Sequence, residues 1–287
     1  MDHTRPVDVL GLTFEVQAED PRLCSYVESL YAAFPGPGRA AHRYALHDGA
    51  AEGTPSELWF DRDRVGEAQD TDALVAMLVH DLNRRALGGS DHLVLHAGGV
   101  EHDGFGLVFP GAMEAGKTTL TAALVRAGFG YLTDEAVAID RENLRIHPYP
   151  KPLSIDRGAW PLFPELEPRV DLATDAYKAD QWQVPPADIR ADPLGEPCAV
   201  SVIVFTRYED GIETSIEPLR RGEALVELAK NTYRFDAQGS AALDVLAELV
   251  RPAACYRLTS GDLDAAIAAA TDLLAASRPP DEPLSVR

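Results

Sequence analysis

A glycine-rich segment constrains this chain more than any other feature, because it requires a strand before it and a helix after it. Residues 111–119 read Gly-Ala-Met-Glu-Ala-Gly-Lys-Thr-Thr and fit the pattern G-x4-G-K-[ST]. The apolar run Leu107–Phe109 predicts the incoming strand, and Thr118–Ala127 predicts the outgoing helix. Glycines let the loop curl so that backbone N–H groups face phosphate oxygens, and the positive end of the helix points to the same place. The sequence therefore predicts a nucleoside triphosphate site, with ATP as the default nucleotide.

The residues expected to bind the nucleotide form one continuous stretch. Lys117 would neutralise the β and γ phosphates, and the Thr118 hydroxyl would bind Mg²⁺. The cofactor-binding residues are Gly111, Ala112, Met113, Glu114, Ala115, Gly116, Lys117, Thr118 and Thr119. A strand–turn–helix corner can match the bare pattern by chance, but the flanking strand and helix favour nucleotide binding.

Two adjacent carboxylates follow the next predicted strand. Asp134 and Glu135 come directly after Tyr131–Thr133, which we expect to neighbour the strand leading into the glycine-rich segment. One carboxylate can hold Mg²⁺ through water, and the other can accept a proton from an attacking hydroxyl. A solvated turn between two strands is the alternative interpretation, since Asp and Glu are common there. Beside a phosphate-binding loop, the catalytic interpretation is favoured.

Composition and periodicity divide the rest of the chain. Residues 1–70 predict a small, mostly β N-terminal layer, residues 71–276 predict the nucleotide-binding domain, and residues 277–287 predict a disordered tail. Ten of the 21 prolines fall in residues 148–197, so this stretch is predicted to be mostly loop with short pieces of structure. Asp103-Gly104, between two apolar runs, is a strong hairpin signal.

Individual elements follow from the same patterns. Strands are predicted at residues 7–16, 43–46, 57–60, 92–100, 105–110, 131–133, 136–140, 144–146, 198–206, 214–219 and 254–258. Helices are predicted at residues 71–87, 118–127, 221–230, 240–249 and 262–276, the first of them capped by Asp70 or Thr71 and the last of them Ala-rich and suited to packing.

Other proteins with this loop carry additional signatures that this chain lacks. The base-specifying N-K-x-D of GTPases and the L-S-G-G-Q of ABC ATPases do not occur, and no arginine cluster resembles the lid of a small nucleotide kinase. The strand that carries His96 should instead pair antiparallel with the strand that precedes the loop. This pairing is unusual, because the corresponding strand normally has parallel neighbours.

Three segments together resemble a known family. They are Leu95–Val100, the glycine-rich segment, and residues 128–139, which read Gly-Phe-Gly-Tyr-Leu-Thr-Asp-Glu-Ala-Val-Ala-Ile. The region 91–153 is similar to the catalytic domain of HPr kinase/phosphorylase, and more closely to HPr-kinase-like proteins of bacterial peptide-modification pathways, including lasso-peptide kinases. The resemblance implies an α/β fold built on the mixed-sheet P-loop nucleotide-binding architecture shared with ATP-dependent phosphoenolpyruvate carboxykinase.

The resemblance also implies roles for particular residues. Asp134 matches the carboxylate implicated as general base, and His96 matches a histidine near the transferred phosphate. Glu135 takes the place of a metal-side Asp, so Thr118, Glu135 and Asp134 are the candidate Mg²⁺ residues. Thr119 stands where HPr kinases usually have an acidic residue, so the resemblance does not extend to HPr itself as the acceptor.

Further residues are candidates for substrate contact. Lys151 lies on a rigid proline-rich loop and could meet the acceptor or the γ-phosphate, although a solvated lysine is the alternative. Asn231 and Arg234 end a predicted helix and could reach the nucleotide, or could simply cap that helix. His96 alone could equally be a hydrogen-bonded strand histidine. A hairpin turn explains Glu101, His102 and Asp103 better than a metal cluster does.

Charge restricts the classes of partner. The chain has 46 Asp and Glu residues against 26 Lys and Arg, a formal charge of −20, which argues against nucleic acid and against anionic membranes. The same acidity predicts a neutral or basic peptide acceptor. Cys24, Cys198 and Cys255 form neither a disulfide framework nor a metal motif, so a reduced, cytoplasmic location is expected, without targeting or membrane segments. A homo-oligomer is compatible with the family resemblance.

These observations predict an ATP- and Mg²⁺-dependent kinase that transfers the γ-phosphoryl group to a hydroxyl. Lys117, Asp134 and His96 are the expected catalytic residues. Serine or threonine of a peptide or small protein is the first acceptor hypothesis. A small-molecule kinase for a sugar, cyclitol or amino-acid hydroxyl is the alternative, and an ATP-binding regulatory protein is the second alternative.

Overall fold

Strands and helices alternate along the computed structural model, which describes residues 2–34, 36, 38–47, 49, 54–112, 115–167 and 181–277. The strands are β1 (Asp2–His3), β2 (Val7–Val9), β3 (Leu12–Ala18), β4 (His42–His47), β5 (Ser56–Phe60), β6 (Asp63–Ala68), β7 (Leu93–His102), β8 (Phe105–Pro110), β9 (Gly130–Thr133), β10 (Ala136–Ile139), β11 (Arg145–His147), β12 (Leu153–Asp156), β13 (Gln181–Val184), β14 (Cys198–Tyr208), β15 (Ser215–Pro218) and β16 (Ala254–Ser260). The helices are α1 (Pro21–Leu30), α2 (Thr71–Gly89), α3 (Lys117–Arg126), α4 (Pro186–Ile189), α5 (Arg221–Lys230), α6 (Phe235–Gln238), α7 (Ser240–Val250) and α8 (Leu263–Ala276). Short 3₁₀ helices occupy Arg157–Leu162 and Pro164–Leu166.

The chain separates into two compact units that do not follow the predicted boundary at residue 70. The first unit comprises residues 1–91 and 149–194, and the second comprises residues 92–148 and 195–287. Helix α2 belongs to the first unit because its apolar face, with Leu74, Leu78 and Leu82 fully buried, packs against β5 and β6. The predicted disordered tail lies, apart from Ser277, outside the described residues.

The first unit is a mixed sheet covered by two helices. Its strands run in the order β1-β3-β4-β5-β6, and β2 pairs with β3. The predicted single strand Val7–Val16 is wrong, since Leu10 and Gly11 adopt positive φ angles of 52° and 92° and turn the chain into a β2–β3 hairpin. Helix α1 packs on β3 and is missing from the predicted elements, although Asp20 caps it by accepting a hydrogen bond from Arg22 N.

The proline-rich stretch lies almost entirely in the first unit, and its described residues contain short pieces of structure, as predicted. Strands β12 and β13 pair antiparallel, from Leu153 opposite Val184 to Asp156 opposite Gln181. The indole rings of Trp160 and Trp182 stack at a centroid distance of 4.7 Å. The two 3₁₀ helices and α4 begin or continue at prolines, which lack the N–H that a longer helix would need.

The second unit contains the sheet that carries the glycine-rich segment. Its strands run in the order β11-β10-β7-β8-β14-β16-β15, with β9 also on β7. The β7–β8 hairpin is confirmed, and its turn residues Asp103 and Gly104 have φ angles of 53° and 84°, as a two-residue type I′ turn requires. Strand β8 is antiparallel to β7 and parallel to β14. A mixed α/β architecture with mixed sheets is thus confirmed.

Helices cover both faces of this sheet. Ala97 faces a core shared with α5 and α7, where Leu228 and Leu246 are fully buried. The neighbouring Gly98 faces α3, and α8 packs beside α3 on β8, β14 and β16. The strands also close a ring of pairings, since β11 pairs with both β10 and β14. The Ala-rich helix α8 is a packing helix, as predicted.

The cysteines and the lengths of the helices are also the subject of expectations from the sequence. Cys24, Cys198 and Cys255 are all buried, and none forms a disulfide. Burial raises the pKa of Cys198 to about 12, so this thiol is an inert core group. Within the described ranges, every helix is too short or too polar to cross a lipid bilayer.

Candidate functional site

The glycine-rich loop, defined here as residues 111–116, joins the end of β8 to the start of α3. Gly116 is the N-cap of α3 and has φ 82° and ψ 11°, a left-handed conformation that glycine adopts without steric cost. Any side chain at this position would be strained. The strand–loop–helix context is therefore confirmed, whereas Met113 and Glu114 lie outside the described residues.

Lys117 is the first residue of α3 and folds back over the start of the loop. Its Nζ donates hydrogen bonds to the carbonyl oxygens of Gly111 at 2.9 Å and Ala112 at 2.6 Å. The side chain is almost fully buried. Burial lowers the pKa of Lys117, and the negative charges of Asp134 and Glu135 oppose that shift. The ammonium group is therefore held against the loop in a poorly hydrated environment that an anion would stabilise.

Asp134 and Thr118 are in direct contact. The Thr118 hydroxyl donates to Asp134 Oδ2 at 3.1 Å, and the Tyr131 hydroxyl donates to Asp134 Oδ1 at 3.0 Å. Asp134 is only 2% exposed. Tyr131 is fully buried, and burial together with the charge of Asp134 raises its pKa well above the ordinary value, so it remains a hydrogen-bond donor. Both carboxylate oxygens are thus oriented, one of them toward the first turn of α3.

The strand order explains how Asp134 reaches this position. The sequence predicted that Tyr131–Thr133 would neighbour the loop strand, but β9 pairs with β7, and β7 lies between β9 and β8. Because each of these two pairings is antiparallel, β8 and β9 run in the same direction and end at the same edge of the sheet. The carboxylates therefore meet the loop across one intervening strand.

Asp134 and Glu135 interrupt a single ladder on β7. Strand β9 pairs up to Thr133 opposite Gly99, and β10 resumes at Ala136 opposite His96. Between them the Ala97 amide still donates to the Glu135 carbonyl at 2.9 Å. Such interruptions redirect side chains, and here the redirected side chains are the two carboxylates.

Glycine at position 98 is what lets α3 approach β7. A Cβ atom on Gly98 would lie 2.6 Å from Thr121 Oγ1, and Thr121 is fully buried one turn after Lys117. We expect Gly98→Ala to lower the free energy of unfolding by about 1–3 kcal/mol, because overpacking would force α3 off the sheet. Urea denaturation measures this change.

Gly222→Ala is the matched control for that substitution. A Cβ on Gly222, within α5, meets no atom within 4 Å. It should leave stability unchanged or raise it by about 0.4–1 kcal/mol, since alanine restricts the unfolded chain. Equal stabilities of the two variants would show that the α3–β7 contact tolerates a methyl group.

The second carboxylate, Glu135, has its own electrostatic effect on Tyr233. Burial raises the pKa of Tyr233, and the charge of Glu135 contributes more to that increase than the charge of Asp134 does. For the pKa of Lys117, the charge of Asp134 contributes more than the charge of Glu135 does. Of the two carboxylates, Asp134 therefore has the larger effect on Lys117, and Glu135 has the larger effect on Tyr233.

His96 and Tyr233 form a pair that the sequence did not predict. His96 Nδ1 lies 3.1 Å from the Tyr233 hydroxyl, at hydrogen-bond distance. The chain after α5 runs along β7, because His96 N donates to Asn231 O at 2.6 Å and Tyr233 N donates to Val94 O at 2.9 Å. The two partners are 137 positions apart, so no local sequence signal links them.

An open cavity of about 750 Å³ lies beside the glycine-rich loop. His96, Gly111 and Ala112 form part of its wall, and the candidate residues Asn231 and Arg234 also line it. Asn231 caps α5 as well, and its Nδ2 donates to the Glu227 carbonyl at 2.8 Å. The helix-cap interpretation of Asn231 is therefore confirmed, and contact with a nucleotide stays a prediction.

The remaining candidates are placed less favourably. Lys151 belongs to the first unit, where it is fully buried and its Nζ donates to the Pro152 carbonyl at 2.9 Å, so the alternative of a solvated lysine is wrong, and contact with a substrate stays a prediction. Thr119 is half-buried in the first turn of α3. Across the described ranges no group of three or more His, Cys, Asp and Glu side chains is arranged to hold a metal ion.

Comparisons with known proteins leave the site to be interpreted from its own geometry. A search of the models of known protein families finds no match to this chain. A search of curated proteins finds no match either.

Proposed function

We propose that the second unit is an ATP-dependent kinase with a P-loop fold of the HPr kinase type, transferring the γ-phosphoryl group to a hydroxyl. The observation that carries this proposal is the 3.1 Å contact between Thr118 Oγ1 and Asp134 Oδ2. It joins a hydroxyl at the start of the loop helix to a buried carboxylate at the end of another strand. That pairing is the one that a nucleotide-bound Mg²⁺ requires of proteins with this loop.

The donor atoms fit Mg²⁺ bound to ATP. Mg²⁺ prefers hard oxygen ligands, and with nucleotides it uses one or two protein carboxylates while phosphates and water supply the rest. Thr118 and Asp134 would hold the ion, with Glu135 within the same carboxylate pair. When bound, Mg²⁺ would neutralise charge that develops on the phosphate oxygens.

The chain's own groups would bind and orient the reactants. The buried Lys117 ammonium and the N-terminal amides of α3 would bind the phosphates, because both present positive charge at the same place. Asp134 would accept the proton of the acceptor hydroxyl. The His96–Tyr233 pair would orient groups at the cavity side of the loop, where both residues line the wall.

The proposed acceptor is a serine or threonine of a peptide or small protein. A small hydroxyl compound such as a sugar, a cyclitol or an amino acid is the second candidate, and the cavity of about 750 Å³ favours it, because cavities of this size hold small ligands.

Label transfer tests the proposed reaction. The protein is incubated with Mg²⁺ and ATP labelled at the γ-phosphate, with serine peptides in one series and sugars, cyclitols and amino acids in another. We expect ADP formation that depends on the acceptor, together with transfer of the labelled phosphate to the acceptor hydroxyl. The same reactions without protein and with EDTA serve as controls.

A different pattern would support a regulatory protein instead. ATP consumption that no acceptor increases, combined with binding of a partner protein that changes with the nucleotide, would contradict the kinase proposal. Absence of any ATP binding by calorimetry would contradict both interpretations.

A further inference from the structure

The cavity lies at the end of the loop where the transferable phosphate would sit. In loops of this pattern the lysine reaches the β and γ phosphates. The Lys117 ammonium lies within 2.9 Å of the Gly111 and Ala112 carbonyls, and both of these residues line the cavity. If the proposed function holds, the cavity is therefore the place from which an acceptor hydroxyl meets the γ-phosphate.

The wall of this cavity is basic in an otherwise acidic protein. Among the residues that the structure describes, four cationic residues line it, against one carboxylate, that of Glu227. The cations are Arg207, Lys230, Arg234 and Arg257. The chain as a whole carries a formal charge of −20, so this local excess of positive charge runs against the composition.

Two of the cations come from neighbouring parallel strands and lie on one face of the sheet. Arg257 of β16 stands beside Phe205 of β14, and Arg207 follows Phe205 by two positions on the same strand. Alternate residues of a strand share a face, so the two guanidinium groups belong to the face covered by α5. Arg257 forms no ion pair with any residue in the described part of the chain, although Glu217 is its cross-strand neighbour on β15.

Two of the other cations are paired with carboxylates. Lys230 lies 2.9 Å from Glu227, and Arg207 lies 3.0 Å from Glu209, which is outside the wall of the cavity. Exposed pairs of this kind are weak, typically below about 1 kcal/mol. An anion entering the cavity can therefore recruit these side chains at little cost.

Screening by salt limits the effect of the acidic surface on a ligand inside the basic cavity. At physiological ionic strength, charges further than about 8 Å from a ligand are largely screened. Charges within the cavity therefore affect a bound ligand more than the remote acidic surface does. The overall composition predicts a neutral or basic acceptor, but this prediction does not apply to a ligand held inside the cavity.

We propose that the cavity binds the acceptor through an anionic group, a phosphate or a carboxylate, carried on the same molecule as the reacting hydroxyl. Guanidinium groups bind both anions in bidentate geometry, which would hold the acceptor in a fixed orientation. This proposal rests on the proposed function, because only a kinase has an acceptor. The anion site itself can be tested without turnover.

Binding of three matched probes tests the proposal. Glycerol 3-phosphate, glycerate and glycerol carry a phosphate, a carboxylate and no charge on nearly the same carbon skeleton. The binding is measured by calorimetry on the full chain saturated with Mg²⁺ and ADP. At least one of the two anions should bind at least 10-fold more tightly than glycerol. The double substitution Arg207→Gln with Arg257→Gln should weaken anion binding at least 10-fold.

One further variant locates the binding. Arg251→Gln removes an exposed arginine at the end of α7, outside the wall of the cavity, and should leave anion binding unchanged. Equal binding of the three probes, or insensitivity to the double substitution, would overturn the proposal. Anion binding without any phosphoryl transfer would instead overturn the proposed function alone.

Discussion

Replacement of Asp134 by asparagine is expected to reduce phosphoryl transfer by about 10²–10⁴-fold, the usual contribution of a positioned general base. Asparagine keeps the shape: its carbonyl oxygen can accept from Tyr131 in place of Oδ1, and its amide group can donate to the Thr118 hydroxyl in place of Oδ2, so the fold should persist. Nucleotide binding should be nearly unchanged, because Lys117 and the loop amides are intact. Initial rates and nucleotide titrations measure the two effects separately.

A Mg²⁺ titration separates the two roles that Asp134 could have. If Asp134 only holds the ion, raising the Mg²⁺ concentration should restore most of the rate. If it also accepts the hydroxyl proton, the loss should remain at saturating Mg²⁺, and this is the expected result. Normal turnover of Asp134→Asn would contradict both roles.

Glu135→Gln is the matched control, since it makes the same chemical change one residue further along. Glu135 is only half-buried and acts electrostatically toward Tyr233 more than Asp134 does. We expect a smaller loss of rate than for Asp134→Asn. A larger loss would assign proton acceptance to Glu135 and leave Asp134 as the metal-side carboxylate.

Lys117→Met is expected to weaken ATP binding by about 10- to 100-fold, the range that follows from losing charge-assisted hydrogen bonds of about 1.5–3 kcal/mol. At an ATP concentration of about 100 times the original Kd, binding stabilises the native protein by about 2.7 kcal/mol. In the variant this gain should fall to about 0.4–1.4 kcal/mol. Thermal unfolding with and without Mg²⁺ and ATP measures the difference.

The same substitution should not destabilise the nucleotide-free protein. Burial lowers the pKa of Lys117 from its ordinary value of 10.5, so the charged ammonium opposes folding at neutral pH, and this penalty disappears only at pH values above 10.5. Methionine removes the penalty at every pH. We therefore expect an unchanged or higher unfolding temperature without nucleotide, together with a smaller response to ATP.

Arg126→Met is the control for Lys117→Met, because it removes a cation from the last turn of the same helix. Arg126→Met should lower the free energy of unfolding by about 0.3–1 kcal/mol, because it removes a favourable interaction with the helix dipole. It should leave ATP binding unchanged. If both variants lost ATP binding equally, the effect would come from the charge or stability of α3 rather than from contact with phosphate.

Several elements could be predicted because their signals are local. The Asp103-Gly104 turn, the cap of α2 by Asp70 and the glycine before Lys117 each depend on residues within a few positions. Elements without a local signal were missed. Strand β6, Asp63–Ala68, has three charged residues among its six and buries only Ala68, and it forms because β5 pairs with it, not because its own pattern favours a strand.

Partner strands could not be predicted from the same signals. The strand before Asp134 is recognisable, yet its position beside β7 depends on the β7–β8 hairpin and on β10 continuing the same ladder. The contact between Thr118 and Asp134 follows from that order. So does the need for glycine at position 98, where a backbone and a helix approach closely.

The sequence by itself determined the strand–loop–helix unit around Lys117 and the acidic composition, because both are properties of neighbouring residues or of simple counts. Only the tertiary structure decided that Tyr233 meets His96 across 137 positions, and that four cations surround one cavity in a chain of net charge −20. Those arrangements depend on strand order and on which face each side chain occupies, and both are set by long-range pairing.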